Sequence, residues 1–220
     1  MIKLLVKKEI LQEIKSKESI LSMVIFGITI ILILGFTIHP NKVDFYNIIP
    51  GIFWLTYLFT TIIGLLRLFN SEKEMNAFGM LLCSPIDRGD IYLGKMIAMW
   101  FFIILTQIIT IPFFIIMFNF RLPENLISFI LFILLTDWAL SSVGTSVSCL
   151  GMRTRIGEIL VPMFLYPLLS PVLISAVSIT KELMLGHSYI NYSFWIMIIL
   201  TFSIVFTLIG YFTFDIIADE

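Results

Sequence analysis

Six long apolar stretches separated by short polar links constrain this chain more than anything else in it. They run at about Ile20–Ile38, Ile48–Leu66, Met96–Phe118, Leu126–Leu150, Ile159–Thr180 and Ser193–Phe214. Each is close to the roughly 20 residues that cross a bilayer. Composition agrees: 59% of the 220 residues are hydrophobic and 13% are charged, where a soluble domain carries about a quarter charged. The expected fold is an all-α integral membrane protein with six transmembrane helices, read as one domain over residues 1–220.

Basic residues set the expected orientation. With the N-terminus inside, the inner segments hold Lys3, Lys7, Lys8, Lys15, Lys17, Arg67, Lys73, Arg88, Lys95, Arg153 and Arg155. The outer loops hold Lys42, Arg121 and Lys181. Eleven against three is a strong positive-inside bias, so both termini are expected in the cytoplasm. Residues 1–19 read as an interfacial helix on the inner leaflet, with Ile2, Val6, Ile10 and Ile14 as its apolar stripe. Lysine stems can snorkel from such a helix. The apolar run that follows is too long for a secretory leader and lacks a small-residue cleavage site.

The stretch Arg67–Lys95 is the one long charged segment between two spans. Ser71 and Glu74 have capping-box spacing, which predicts the start of a short amphipathic helix. Met75, Phe78 and Leu82 recur along it at helical intervals, and Pro85 ends it. Asp87 and Asp90 are placed to cap the helix that follows. A bare connector would be shorter and would need no apolar face. The segment is therefore the expected contact for a soluble partner. Gly89 to Lys95 fits GxxxxGK, but Met96 stands where a phosphate-binding loop needs Ser or Thr, and no strand precedes it. Energy from ATP would have to come from another chain, and no catalytic residue is assigned.

The fourth span holds Asp137 and Trp138, then Ser141, Ser142, Gly144, Thr145, Ser146 and Ser148. Small residues let helices approach closely, so this span is expected to face protein or a cavity. An ionisable group at that depth is a functional candidate, against the simpler reading of an Asp hydrogen-bonded to neighbouring hydroxyls or protonated within the bundle. Pro162, Pro167 and Pro171 in the fifth span predict a short helix ending near Pro167–Pro171, with Val172–Leu185 partly re-entrant. His39 and His187 fall on the same expected side, where imidazole could ligate haem iron. No zinc spacing, CxxC motif or nucleophile elbow is encoded, so metal and hydrolase readings are not pursued. Cys83 and Cys149 read as small apolar fillers, and most aromatics as lipid-facing or interfacial. No basic stretch interleaved with aromatics speaks for nucleic acid.

Three blocks then carry a resemblance: Pro50-Gly-Ile-Phe-Trp54, Arg67-Leu-Phe, and Leu81–Met96, which reads LLCSPIDRGDIYLGKM. Together with length, span number and loop position, they resemble the haem exporter protein B (CcmB) family of cytochrome c maturation. The wider pattern is similar to ABC-2 type exporter permeases. Where many relatives carry Gly, a small residue, Leu and Glu in the short helix, Asn76, Ala77, Phe78 and Gly79 stand here. The resemblance implies a permease subunit in the bacterial inner membrane whose cytoplasmic coupling helix meets a separate ABC ATPase. Glu74, Phe78, Leu82, Pro85, Asp87 and Arg88 are the expected coupling residues, and Asp137, Trp138, His39 and His187 the substrate-path candidates. Implied partners are the ATPase, a second copy of the chain, a haem-handling membrane protein and a periplasmic haem chaperone. Haem is the candidate substrate, not a covalent cofactor; ATP belongs to the partner and drives either haem export or release of the haem-loaded chaperone. Export of lipid, drug or glycan, or a non-transporting scaffold, are the alternatives.

Overall fold

The computed structural model describes residues 1–38, 45–74, 87–120, 122–123, 125–152, 157–187 and 192–219. Seven helices run through them: α1 (Ile2–Ser16), α2 (Glu18–Thr37), α3 (Phe45–Glu74), α4 (Arg88–Phe118), α5 (Leu126–Met152), α6 (Gly157–Met184) and α7 (Ser193–Asp219). No strand occurs among the described residues. Helices α2 to α7 match the six apolar stretches, and each is long and apolar enough to cross a membrane. Because lipid offers no hydrogen bonds, a spanning backbone must satisfy itself, as these helices do. The chain is an all-α, multi-pass membrane protein.

Helix α5 is the axis of the bundle. It packs against α3, α4, α6 and α7, which its run of Ser, Gly and Thr allows by letting neighbouring backbones come close. Helix α2 lies on the flank, against α3 and α4, and turns Leu21, Ile25, Ile33 and Phe36 outward. Helix α7 turns Phe194, Met197, Ile204 and Phe212 outward in the same way. Such apolar faces suit hydrocarbon. Many aromatics face outward as expected, but one group packs in the interior. Phe53, Trp54, Tyr57, Phe114, Phe118, Phe120, Phe129 and Phe132 are all buried. Phe53 meets Trp54, Tyr57 and Phe114 edge-to-face at 4.7–5.3 Å, a geometry in which ring edges face ring clouds. Trp54 Nε1 donates to Thr180 Oγ1 at 2.8 Å, so its polar atom is satisfied at depth.

Three boundaries differ from expectation. The helix of the second span does not stop and restart at Ser71; it continues to Glu74. A capping residue needs a non-helical backbone, and the helix formers Leu65, Leu66, Arg67 and Leu68 carry the helix through instead. The third span begins at Arg88, eight residues before Met96, because Asp87 caps it there: its Oδ1 accepts from Gly89 N at 3.1 Å. Residues 75–86, with the expected coupling helix, lie outside the described residues.

The fifth span is one continuous helix, not a short helix with a re-entrant tail. Pro171 has no N–H for the carbonyl of Pro167, one turn back. The Ser170 hydroxyl donates to that carbonyl at 2.9 Å and fills the gap. Side-chain hydroxyls are one of the means by which membrane helices tolerate proline.

Candidate functional site

At one end of the bundle, charged and polar residues from α1, α2, α3, α4 and α7 are brought together. Helices α3 and α4 have 30 and 31 residues, which at 1.5 Å per residue is about 45 Å each. A hydrocarbon core is roughly 30 Å thick, so both helices reach past it. Their excess length falls at the end bearing Arg67 and Glu74 on α3, and Arg88, Asp90 and Lys95 on α4. These two ends bracket residues 75–86. Of the expected coupling residues, Glu74 is the last residue of α3, and Asp87 and Arg88 open α4. Phe78, Leu82 and Pro85 lie outside the described residues.

The base of α4 is tied on three sides. Asp87 Oδ2 accepts from the Tyr211 hydroxyl at 3.3 Å, joining α7. The Tyr92 hydroxyl sits 3.1 Å from the carbonyls of Ser142 and Phe206 and 3.0 Å from Ser146 Oγ, joining α5 and α7. Lys95, fully buried, has its Nζ 3.5 Å from Glu9 Oε1 of α1. The GxxxxGK spacing is thereby explained by packing. A Cβ at Gly94 would stand 2.7 Å from Leu5 Cβ, and one at Gly89 would stand 2.4 Å from the Tyr211 ring. Arg67 Nη1 and Glu18 Oε2, 3.6 Å apart, link α3 to α2, but both are exposed and such a pair contributes little.

Helix α1 is present as expected, yet it docks by a different face. Leu5, Glu9 and Glu13 are its buried residues, while Ile2, Val6 and Ile10 only flank the contact and Ile14 is exposed. Glu13 Oε1 accepts from Ile20 N at 2.8 Å in the first turn of α2. Lys17 joins the two helices in a left-handed conformation, φ 57°. Sequence alone does not single out Glu9 or Tyr92, and it presents Lys95 as a cytoplasmic charge rather than a buried one. The available signal was Leu5-Glu9-Glu13, a second stripe with i, i+4 spacing holding both acids of a lysine-rich segment.

In mid-bundle, Asp137 is wholly buried and its Oδ1 accepts from Gln107 Nε2 of α4 at 2.8 Å. Its Oδ2 has no hydrogen-bond partner among the described residues, nor do the hydroxyls of Thr61, Thr145 and Ser148. Asp137, Ser141, Thr145 and Ser148 recur every three or four residues, so they form one buried polar stripe along α5. Across α4, the Tyr57 hydroxyl and Thr110 Oγ1 are 3.0 Å apart. Trp138 does not share this stripe. It packs edge-to-face on Trp100 at 5.3 Å and donates from Nε1 to Thr207 Oγ1 of α7 at 3.3 Å. His187 lies exposed just past α6, its Nδ1 2.6 Å from Glu182 Oε2. His39 lies outside the described residues. The described residues contain no cluster of three or more His, Cys, Asp or Glu fit for a metal ion.

Known proteins resemble this chain along most of its length. It is 26% identical to the protein named "Heme exporter protein B" of Rhodobacter capsulatus over 157 residues, which are 71% of this chain and 72% of that protein. With the protein of the same name from Pseudomonas aeruginosa it shares 27% over 151 residues, 68% of this chain and 67% of the relative. With that of Haemophilus influenzae the figures are 25% over 186 residues, 84% and 83%. The profile described as "CcmB protein" matches residues 1–217. That match takes in α1, all six spans and both charged helix ends, and the chain belongs to the CcmB family.

Proposed function

We propose that this protein is the membrane subunit of a haem-exporting ABC transporter serving cytochrome c biogenesis, and that it is driven by a separate ATPase chain. The observation that carries this reading is family membership across residues 1–217, among relatives named as haem exporters. The geometry supports it. Two helices reach beyond the hydrocarbon core and bracket residues 75–86, and the base of α4 is fastened to α1, α5 and α7. A force on the bracketed segment passes into most of the bundle through α4. Motion between two arrangements of packed helices is how such a push does work at a distance.

In this reading the charged end faces the cytoplasm, both termini lie there, and the membrane is the bacterial inner membrane. Glu74, Phe78, Leu82, Pro85, Asp87 and Arg88 meet the ATPase: apolar side chains fill a groove while charges fix register. ATP is bound and hydrolysed by that partner, two copies of this chain pair, and the haem-handling membrane protein and periplasmic chaperone act on the outer side. Asp137 and its polar stripe serve the substrate side of the cycle, with Trp138 on the neighbouring face and the outer histidines, His39 and His187, at the exit.

The test is complementation of a strain lacking its own subunit, scored as covalent haem in c-type cytochromes. Activity is expected with the native ATPase and lost with an ATPase unable to hydrolyse ATP, although the complex still assembles. Phe78→Asp with Leu82→Asp is expected to abolish ATPase co-purification while the protein stays in the membrane. Cytochrome c formation that persists with the hydrolysis-dead partner overturns the proposal.

A further inference from the structure

The folded position of α1 separates its charges in a way its sequence does not show. Residues 1–17 contain five lysines and two glutamates. Both glutamates are turned into the protein, 7% and 6% exposed, where Glu9 meets Lys95 and Glu13 meets the first turn of α2. Lys3, Lys7, Lys15 and Lys17 are exposed, and Lys8, which also reaches Glu9 at 3.2 Å, keeps 40% of its side chain exposed. The outward face of α1 is therefore cationic, with Leu4, Leu11 and Ile14 exposed among the lysines.

Two grooves lie on this face. One, of about 470 Å³, is lined by Leu4, Lys7, Lys8, Leu11, Gln12 and Lys15. It offers the ammonium groups of Lys7 and Lys15, that of Lys8, which is shared with Glu9, and one amide. The other, of about 370 Å³, is mainly apolar, with Val6, Ile10 and Ile97 of α4 in its wall. Lys7 and Leu11 line both. The pair suits a molecule with an anionic head and an apolar tail.

We infer that this corner of α1 and α4 is a binding site for an acidic phospholipid, its phosphate held by Lys7, Lys8 and Lys15 and an acyl chain laid along Val6, Ile10 and Ile97. A zwitterionic phospholipid also carries phosphate, but its own cation would be repelled by a groove whose lining charges are all lysines. Lysines near a membrane surface each favour anionic lipid, and the effect fades within a Debye length. The assignment is independent of what the chain transports.

The full chain is placed in nanodiscs of equimolar phosphatidylcholine and phosphatidylglycerol, and retained lipids are counted by native mass spectrometry after release. Phosphatidylglycerol is expected to be retained over phosphatidylcholine by about tenfold. Lys7→Gln, Lys8→Gln and Lys15→Gln together should bring the ratio near one, and K7Q or K15Q alone should each remove part of it. Lys181→Gln, an exposed lysine in the last turn of α6, should leave the ratio unchanged. The single variants keep the test decisive if the triple variant folds poorly. Equal retention of both lipids by the native chain would leave the grooves to acyl chains of any kind and overturn the assignment. A preference that survives all three Lys→Gln changes, or is lost in K181Q instead, overturns it too.

Discussion

Gln107 on α4 and Asp137 on α5, 30 residues apart in sequence, meet by a 2.8 Å hydrogen bond at full burial. It gives the central helix a polar register mark against α4. Gln107→Leu removes the donor and leaves a buried carboxyl without it, which should lower stability by about 1–3 kcal/mol. Asp137→Leu added to Gln107→Leu should restore much of that loss, because no unmet polar atom then remains at the contact. Melting of the purified protein in detergent measures both. Equal or greater destabilisation in the double variant would show that Asp137 is held by more than this bond.

The Glu9–Lys95 pair fastens α1 to α4 at a buried site. Removing Glu9 takes an anionic partner away from a buried ammonium, at a cost of up to about 3 kcal/mol. Glu9→Leu should therefore release α1 locally. Amide exchange in residues 2–16 should accelerate well beyond that of α5, with Glu9→Gln intermediate because it keeps an acceptor. Unchanged protection of α1 in Glu9→Leu would assign its docking to the Leu5–Gly94 contact and the Glu13 bond to α2 instead.

Ser170 and Pro171 make a compensated break in α6. Ser170→Ala should cost about 1 kcal/mol, the net worth of a hydrogen bond. The same change in a Pro171→Ala background should cost much less, since the introduced alanine supplies the missing N–H itself. Denaturation of the four combinations yields the coupling directly, and additive effects would contradict the compensation.

Gly210 and Gly51 should respond oppositely to alanine. A Cβ at Gly210 would lie 2.1 Å from the ring of Tyr92, whereas one at Gly51 meets nothing within 4 Å. Gly210→Ala should destabilise by about 1–3 kcal/mol through overpacking. Gly51→Ala should be neutral or stabilising by up to about 1 kcal/mol, because it only reduces freedom in the unfolded chain. Melting temperatures of the two variants, measured side by side, check the contrast.

What the sequence determined by itself is the class of fold and the identity of the spans. About twenty apolar residues in a row have few alternatives to crossing a bilayer as helix, whatever their neighbours do. The α4 cap at Asp87 and the protein-facing character of α5 were legible for the same kind of reason, since capping and small-residue packing are local or nearly local. Tertiary structure alone decided the rest. Whether Ser71 starts a helix depends on the stretch before it, and whether Pro171 breaks one depends on the hydroxyl beside it. Gln107 finds Asp137, and Glu9 finds Lys95, across helices whose rotation about their own axes is set by packing. Amphipathic pattern could not orient α1, because the buried face it chose is partly acidic: a carboxylate reads as a surface residue until its cation, 86 positions away in the chain, is folded against it.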